Sequence, residues 1–239
     1  MTPRCLVVAT SVTLVGLAPA CGDGGAKDAS VDIDNGSCGD QLRYTGEYVD
    51  WDVEAAFCGI KDAVLEVDGG GAMDSTAPNG RFDLCLPAAN KVTRLDITPA
   101  AANSECSRPI SNYTLPTIIL GNASVIHAGG FTSARSMTVA RQASFFTQIG
   151  QTFDASRAQV HVHVNGMTPR KVTLASDHGA PQIVSGTAWI PGEVGADIFF
   201  PNVAVGTGTT KLTIEGGGVG AGDITVIAGT LTNVAVIAN

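Results

Sequence analysis

Asn79-Gly80-Arg81-Phe82-Asp83-Leu84-Cys85-Leu86-Pro87 is the segment that says most about the architecture. Phe82, Leu84 and Leu86 alternate with Arg81, Asp83 and Cys85, so an extended chain here presents one apolar face and one mixed face. Asn79-Gly80 is a tight-turn pair, and Pro87, which has no N–H to give a ladder, ends the strand. Upstream, Ala63-Val64-Leu65-Glu66-Val67 reads as a strand and Asp68-Gly69-Gly70-Gly71 as a turn; downstream, Val92 to Ile97 repeats the alternation. Strands broken by turns at this interval predict a small antiparallel sandwich over residues 40–112.

The same pattern returns after Ala158. Val160, Val162 and Val164 alternate with His161, His163 and Asn165, and Gly166 then turns the chain. Val172-Thr173-Leu174, Ala188-Trp189-Ile190, Phe199 to Val205, Lys211 to Ile214, Ile224 to Val226 and Leu231 to Ile237 follow as short β-type runs, predicting a second sandwich over 158–239. Between the two, residues 113–157 read as a connecting segment with a helix at about 136–149. Met137, Ala140 and Phe146 or Ile149 recur there at helical spacing, Ser136 or Thr138 offers a cap, and Gly150 offers a stop. Phe145, Phe146 and Phe153 are expected to pack on a neighbouring sheet. The fold class is therefore mainly β, with two small antiparallel β-sandwiches and one short connecting helix.

Residues Gly59 to Val67, followed by Thr76 to Pro87, resemble the carboxypeptidase regulatory-like domain, with Gly46-Glu47-Tyr48-Val49-Asp50 in the place of its first strand. In the second half, Phe200-Pro201-Asn202-Val203 and Lys211 to Ile214 are similar to the closing motif of the same superfamily, with Thr where an aromatic is usual. The resemblance implies transthyretin-like (Ig-like) sandwiches and carries no catalytic residues with it.

Met1 to Ala20 has the form of a secretory leader: Arg4, an apolar run from Cys5 to Leu17, and a small-x-small close at Ala18-Pro19-Ala20. The apolar run is too short for a permanent membrane-spanning helix. Leu17-Ala18-Pro19-Ala20-Cys21 also resembles a bacterial lipobox, displaced by one residue because Ala18 stands where Leu is expected. Lipid on Cys21 would make the membrane a partner of this chain, and Gly22 after it favours the outer membrane. Residues 21–39, with Asp23, Asp28, Asp32 and Asp34 among Gly and Ser, read as an acidic flexible tether. The expected location is the outer membrane or cell surface, or else the periplasm or medium. The 239 residues carry 14 Lys+Arg against 22 Asp+Glu, a formal net charge of −8, which argues against a nucleic-acid partner.

With Cys21 set aside, Cys38, Cys58, Cys85 and Cys106 remain, and four cysteines in an oxidising compartment allow three pairings. Cys38 with Cys58 and Cys85 with Cys106 is the expected choice, because each closes a local loop worth about 3 kcal/mol. No Cys-x-x-Cys spacing suggests zinc.

Three candidate chemistries follow. His161 and His163 lie two apart on one strand and so share a face, where they offer two imidazoles to a metal, with Asp177, His178 and His127 as the available further ligands. The alternative reading makes them the solvent face of that strand. Tyr44, Tyr48 and Trp51 among Glu47, Asp50 and Asp52 form a candidate aromatic platform for a glycan or a protein partner. Trp51 shares a strand face with Val49 and Val53, however, which suits the core better. For hydrolysis, neither Gly-x-Ser-x-Gly nor Ser-x-x-Lys occurs. Gly216 to Gly222 precedes a β-run rather than a helix and reads as a hairpin connection, not a phosphate cradle. The function expected is thus a non-catalytic cell-envelope lipoprotein serving as a structural or binding module, without a cofactor. A carbohydrate-binding module and a metal-binding protein or enzyme centred on His161 and His163 are the alternatives.

Overall fold

A computed structural model describes residues 38–52, 59–68, 73–87, 92–98 and 116–239 of the chain. The leader, most of the tether, Cys21, Cys58 and Cys106 lie outside the described residues. Those described all belong to one compact unit spanning Asp34–Asn239.

The protein is mainly β. In chain order the strands are β1 (Leu42–Asp50), β2 (Val64–Val67), β3 (Met73–Ser75), β4 (Arg81–Leu86), β5 (Val92–Thr98), β6 (Thr117–Asn122) and β7 (Thr132–Ser136). They continue as β8 (Ala158–Asn165), β9 (Arg170–Leu174), β10 (Gln182–Ser185), β11 (Ala188–Pro191), β12 (Val194–Gly195) and β13 (Asp197–Val203). The last four are β14 (Thr209–Ile214), β15 (Gly218–Val219), β16 (Gly222–Thr225) and β17 (Leu231–Ala238). Helix α1 is Ala123–His127 and α2 is Val139–Gln148.

One large sheet organises the rest, in the order β11-β10-β13-β8-β17-β6-β5-β2-β3 with β15 added beside β17. Two smaller sheets, β4-β1-β7 and β12-β9-β14-β16, complete the molecule. The alternation within β6 shows how the three fit together. Ile118 and Leu120 enter a core with Val160, Val162 and Val164 of β8, Val234 and Val236 of β17, and Leu212 and Ile214 of β14. Ile119, one residue out of phase, enters a different core with Tyr44 and Tyr48 of β1, Phe82 and Leu84 of β4, and Leu65 and Leu95. Since successive strand side chains point to opposite faces, the four-stranded sheet covers one face of the large sheet and the three-stranded sheet covers the other.

The alternating runs of both halves form strands, and strands of both halves pair into one large sheet instead of standing as separate units. Segment 113–157, expected as a connector, supplies β6 to the shared sheet and β7 to the edge of β1. Nor is the pairing antiparallel throughout: β1 with β7, β17 with β6, and β17 with β8 are parallel. The local alternation is the same for both orientations, so it does not distinguish them.

Helix α2 forms where the spacing places it. Thr138 caps it by accepting from Arg141 N–H at 3.1 Å, and Gly150, at φ +67°, carries the chain out of the last turn. Ser136, the other candidate cap, is the last residue of β7. The Asn79-Gly80 turn closes with Gly80 N–H donating to the Ala77 carbonyl at 2.8 Å, and Gly80 (φ +77°) leaves no room for a Cβ against the Tyr48 carbonyl. In the Phe200-Pro201-Asn202-Val203 motif the register between β13 and β8 shifts by a bulge, and Asn202 sits at φ +54°. Its side chain accepts from Asp154 N–H and donates to the Thr152 carbonyl, which holds the bulge to the chain entering β8.

The cysteine pairing differs from expectation. Cys38 is bonded to Cys85, 47 residues away, in place of Cys58. Sheet pairing overrides proximity in sequence: β1 and β4 are antiparallel with Leu42 opposite Leu86 and Arg43 opposite Cys85, which brings the turn before β1 within disulfide reach of β4. Cys85 is therefore not joined to Cys106 either.

Candidate functional site

On β8 the even-numbered valines take one face, so Gln159, His161 and His163 take the other. Antiparallel β13 places Asp197 opposite His163, and parallel β17 places Asn233 opposite His161. Arg135 comes from β7, which runs beside this face without joining the sheet. Asp197 Oδ1 lies 3.0 Å from His161 Nε2 and 3.1 Å from His163 Nδ1, while its Oδ2 lies 3.2 Å from Arg135 Nη2. The other ring nitrogen of His161, Nδ1, is 2.9 Å from Asn233 Oδ1. That same oxygen accepts from Arg135 N–H at 2.8 Å, and Asn233 Nδ2 donates to the Arg135 carbonyl at 3.2 Å. The Asn233 amide thus bridges two sheets as a strand neighbour would, and this fixes which of its ends is oxygen.

The electrostatics follow from burial and pairing. His161 is completely buried, and burial is the largest influence on it, pulling its pKa below the ordinary histidine value against the opposing pull of Asp197. Burial by itself would raise the Asp197 carboxyl. The hydrogen bonds from His161 and His163 and the charge of Arg135 outweigh it and hold the group far below the usual carboxylate range. Arg135 spends Nη1 on the Trp51 carbonyl at 3.1 Å and Nη2 on Asp197.

The residues singled out from sequence are placed as follows. His161 and His163 do share a face, yet their carboxylate partner is Asp197 and not Asp177. Asp177 pairs with Arg157 at 3.0 Å, and the His178 ring packs edge-on to Phe200, a residue of the core on the opposite face of the sheet. His127 ends α1. Among the described residues no group of three or more His, Cys, Asp or Glu is arranged to hold a metal, so the metal reading gains no ligand set. Nor is His161 on a solvent face. The aromatic platform is likewise corrected: Tyr44, Tyr48 and Trp51 are 1%, 0% and 0% exposed. Tyr44 donates to Thr132 Oγ1 at 2.8 Å, and burial pushes the Tyr48 hydroxyl up to about 12. Trp51 stacks on Trp189 with centroids 4.8 Å apart and meets Phe145, Phe199 and His161 edge-on. This aromatic cluster, with Met137 and Phe146, seals the buried side of the polar network under α2.

Sequence reading missed Arg135, Asp197 and Asn233. Asn233 had a signal, being a lone amide at an inward position of the apolar run Leu231 to Ile237. Asp197, next to Ile198-Phe199-Phe200, had none that distinguishes it from a surface acid.

The exposed margin of the network opens into a cleft of about 550 Å³ between the outer face of the three-stranded sheet and the face of β8 and β13. Glu47, Arg81, Ser133, Arg135, His163 and Asp197 supply its polar wall. Glu47 is there because Tyr44 and Tyr48 turn into the core and send the odd positions of β1 outward. Its carboxylate accepts from Ser133 Oγ at 3.0 Å. As a catalytic centre the network is poorly disposed: the His161 imidazole is sealed in, with both nitrogens engaged, and only His163 reaches the cleft.

No protein-family model matches the chain, and no curated protein matches it in sequence. Among solved structures, the Bacillus anthracis TIE protein is similar over 83% of this chain at 10% identity and a TM-score of 0.26; the match takes in 34% of that protein, so the chain spans about a third of its length. A variant of the shaft pilin SpaA from Lactobacillus rhamnosus GG is similar over 82% of this chain and 98% of its own, at 9% identity and a TM-score of 0.20. A variant of the major pilin from Streptococcus pyogenes is similar over 82% and 96%, at 11% identity and a TM-score of 0.19. These are distant neighbours, and likenesses of this size carry no functional argument. The carboxypeptidase regulatory-like resemblance extends to a mainly β, sandwich-type fold and no further. Among the described residues no helix is long and apolar enough to cross a membrane.

Proposed function

We propose that the chain is a non-catalytic module of the cell envelope, exported by its leader, anchored through lipid on Cys21 and serving as a structural or binding element at the surface or in the periplasm. The observation that carries this reading is the Cys38–Cys85 disulfide, because such bonds form and persist in oxidising compartments. It fits the leader pattern of residues 1–20 and the Cys that follows. The complete burial of His161, whose two nitrogens face Asp197 and Asn233, supports the non-catalytic part of the reading.

The test is native expression with the leader, followed by membrane fractionation and intact mass. Expected is a membrane-bound species with a diacylglyceryl or triacylated N-terminal Cys21, which Cys21→Ser converts to an unlipidated form. A soluble product with an unmodified Cys21 would remove the anchor and leave a secreted or periplasmic module. Free thiols at both Cys38 and Cys85 would remove export itself.

A further inference from the structure

We propose that the cleft between β1, β7 and β8 is a binding site for an uncharged polyhydroxyl ligand, a saccharide, held by Glu47, Arg81 and His163. The starting observation is a pair of charges that does not close on itself. Glu47 and Arg81 are directly opposite one another in the β1–β4 register, yet they form no ion pair. Among the described residues Arg81 has no side-chain partner, and Glu47, 8% exposed, has only the Ser133 hydroxyl. A carboxylate withdrawn from water to this degree is ordinarily satisfied by more than one donor. His163 adds a third open position. Its Nδ1 is taken by Asp197, so Nε2 is the nitrogen left over beside the cleft.

The chemistry of these three groups selects the ligand. Glu47 accepts, Arg81 donates, and His163 Nε2 accepts when the ring is neutral. Two neighbouring hydroxyls can donate to the first and third while one of them accepts from the second, which neither a simple anion nor a simple cation can do. An anion would meet the Glu47 and Asp197 carboxylates that line the same cleft. Arg135, the buried one, has committed both terminal nitrogens and its Nε is buried without a partner, while Arg81 is exposed and lies opposite the Glu47 carboxylate. A metal ion would need a ligand set that the described residues do not assemble. Phe131, half-buried, supplies the apolar part of the wall, suited to the C–H face of a sugar ring. The cleft volume of about 550 Å³ lies in the range of small-molecule sites. This site is distinct from the Tyr44, Tyr48 and Trp51 platform, whose rings are buried.

The experiment is a two-dimensional NMR titration of the mature chain with cellobiose, maltose and N,N′-diacetylchitobiose, with glycine and sodium sulfate as zwitterion and anion probes, following the His163 ring signals and the amides of β1 and β7. Expected is saturable binding of at least one disaccharide, weakened about tenfold or more by Glu47→Gln and by Arg81→Ala, with neither glycine nor sulfate competing. Arg81 is exposed, so its replacement leaves the fold intact and keeps the test valid even if the Glu47 variant is unstable. Binding of sulfate or glycine in place of sugar, disaccharide shifts indifferent to Arg81→Ala, or no shift at tens of millimolar disaccharide would each overturn the proposal. The inference goes beyond the module reading and fails separately from it, because the titration reports on the cleft and not on Cys21.

Discussion

Asp197 is the residue on which the polar network depends, since His161, His163 and Arg135 all lie within hydrogen-bond distance of its two oxygens. Removing its charge leaves a buried guanidinium without its counter-ion, and Asp197→Asn is expected to cost about 3–5 kcal/mol in urea unfolding. The same network sets the response to pH. Both His161 and Asp197 have folded pKa values below their unfolded ones, so the unfolded chain binds more protons than the folded chain in each window. The stability contributed by His161 is present above the ordinary histidine value, about 6.5, and declines as pH falls below it. That contributed by Asp197 is present above about 4 and is lost on further acidification. Thermal midpoints measured from pH 8 to pH 3 should therefore fall in two stages, and Asp197→Asn should flatten the lower one. A wild-type midpoint that rises on acidification would contradict this assignment.

Among the elements, the β1–β4 pair is the one whose covalent chemistry the structure revises. Two strands in antiparallel register carry the Cys38–Cys85 bond across a 47-residue separation, for which loop-closure entropy gives about 4 kcal/mol. Peptide mapping of the non-reduced protein should recover Cys38 linked to Cys85, and Cys85→Ser should lower stability by about that amount. A Cys38–Cys58 peptide would overturn this. The sequence argument for a local pair rested on loop length, which changes the entropy only slowly; the geometry of two strands decides which thiols meet.

At the scale of the whole molecule, the shared sheet should make the two halves unfold together. β6 delivers Ile118 and Leu120 to one core and Ile119 to the other, and β17 links β6 to β8 by parallel pairing on both sides. Calorimetry of the mature chain is expected to show a single transition, and fragments 40–112 and 158–239 are expected not to fold when expressed apart. Each would lose β6, and the second would expose the flank of β17 as an unpaired edge. Two resolved transitions, or a folded isolated fragment, would show that the halves are independent after all.

What residue order alone determined was the local structure. The alternation of Phe82, Leu84 and Leu86, that of Val160, Val162 and Val164, the Thr138 cap and the Asn79-Gly80 turn all appear where their periodicity and turn chemistry place them, because each depends on neighbours within a few positions. The common face of His161 and His163 was legible for the same reason. Tertiary structure decided everything that depends on which strands become neighbours: the sharing of one sheet by two cores, the parallel pairs, the Cys38–Cys85 bond, the burial of Tyr44, Tyr48 and Trp51, and the meeting of Arg135, Asp197 and Asn233 around His161. Alternation gives each strand two faces but not the partner each face will find; that choice is made by packing between residues far apart in sequence, as in the Arg135–Asn233 clasp across 98 positions.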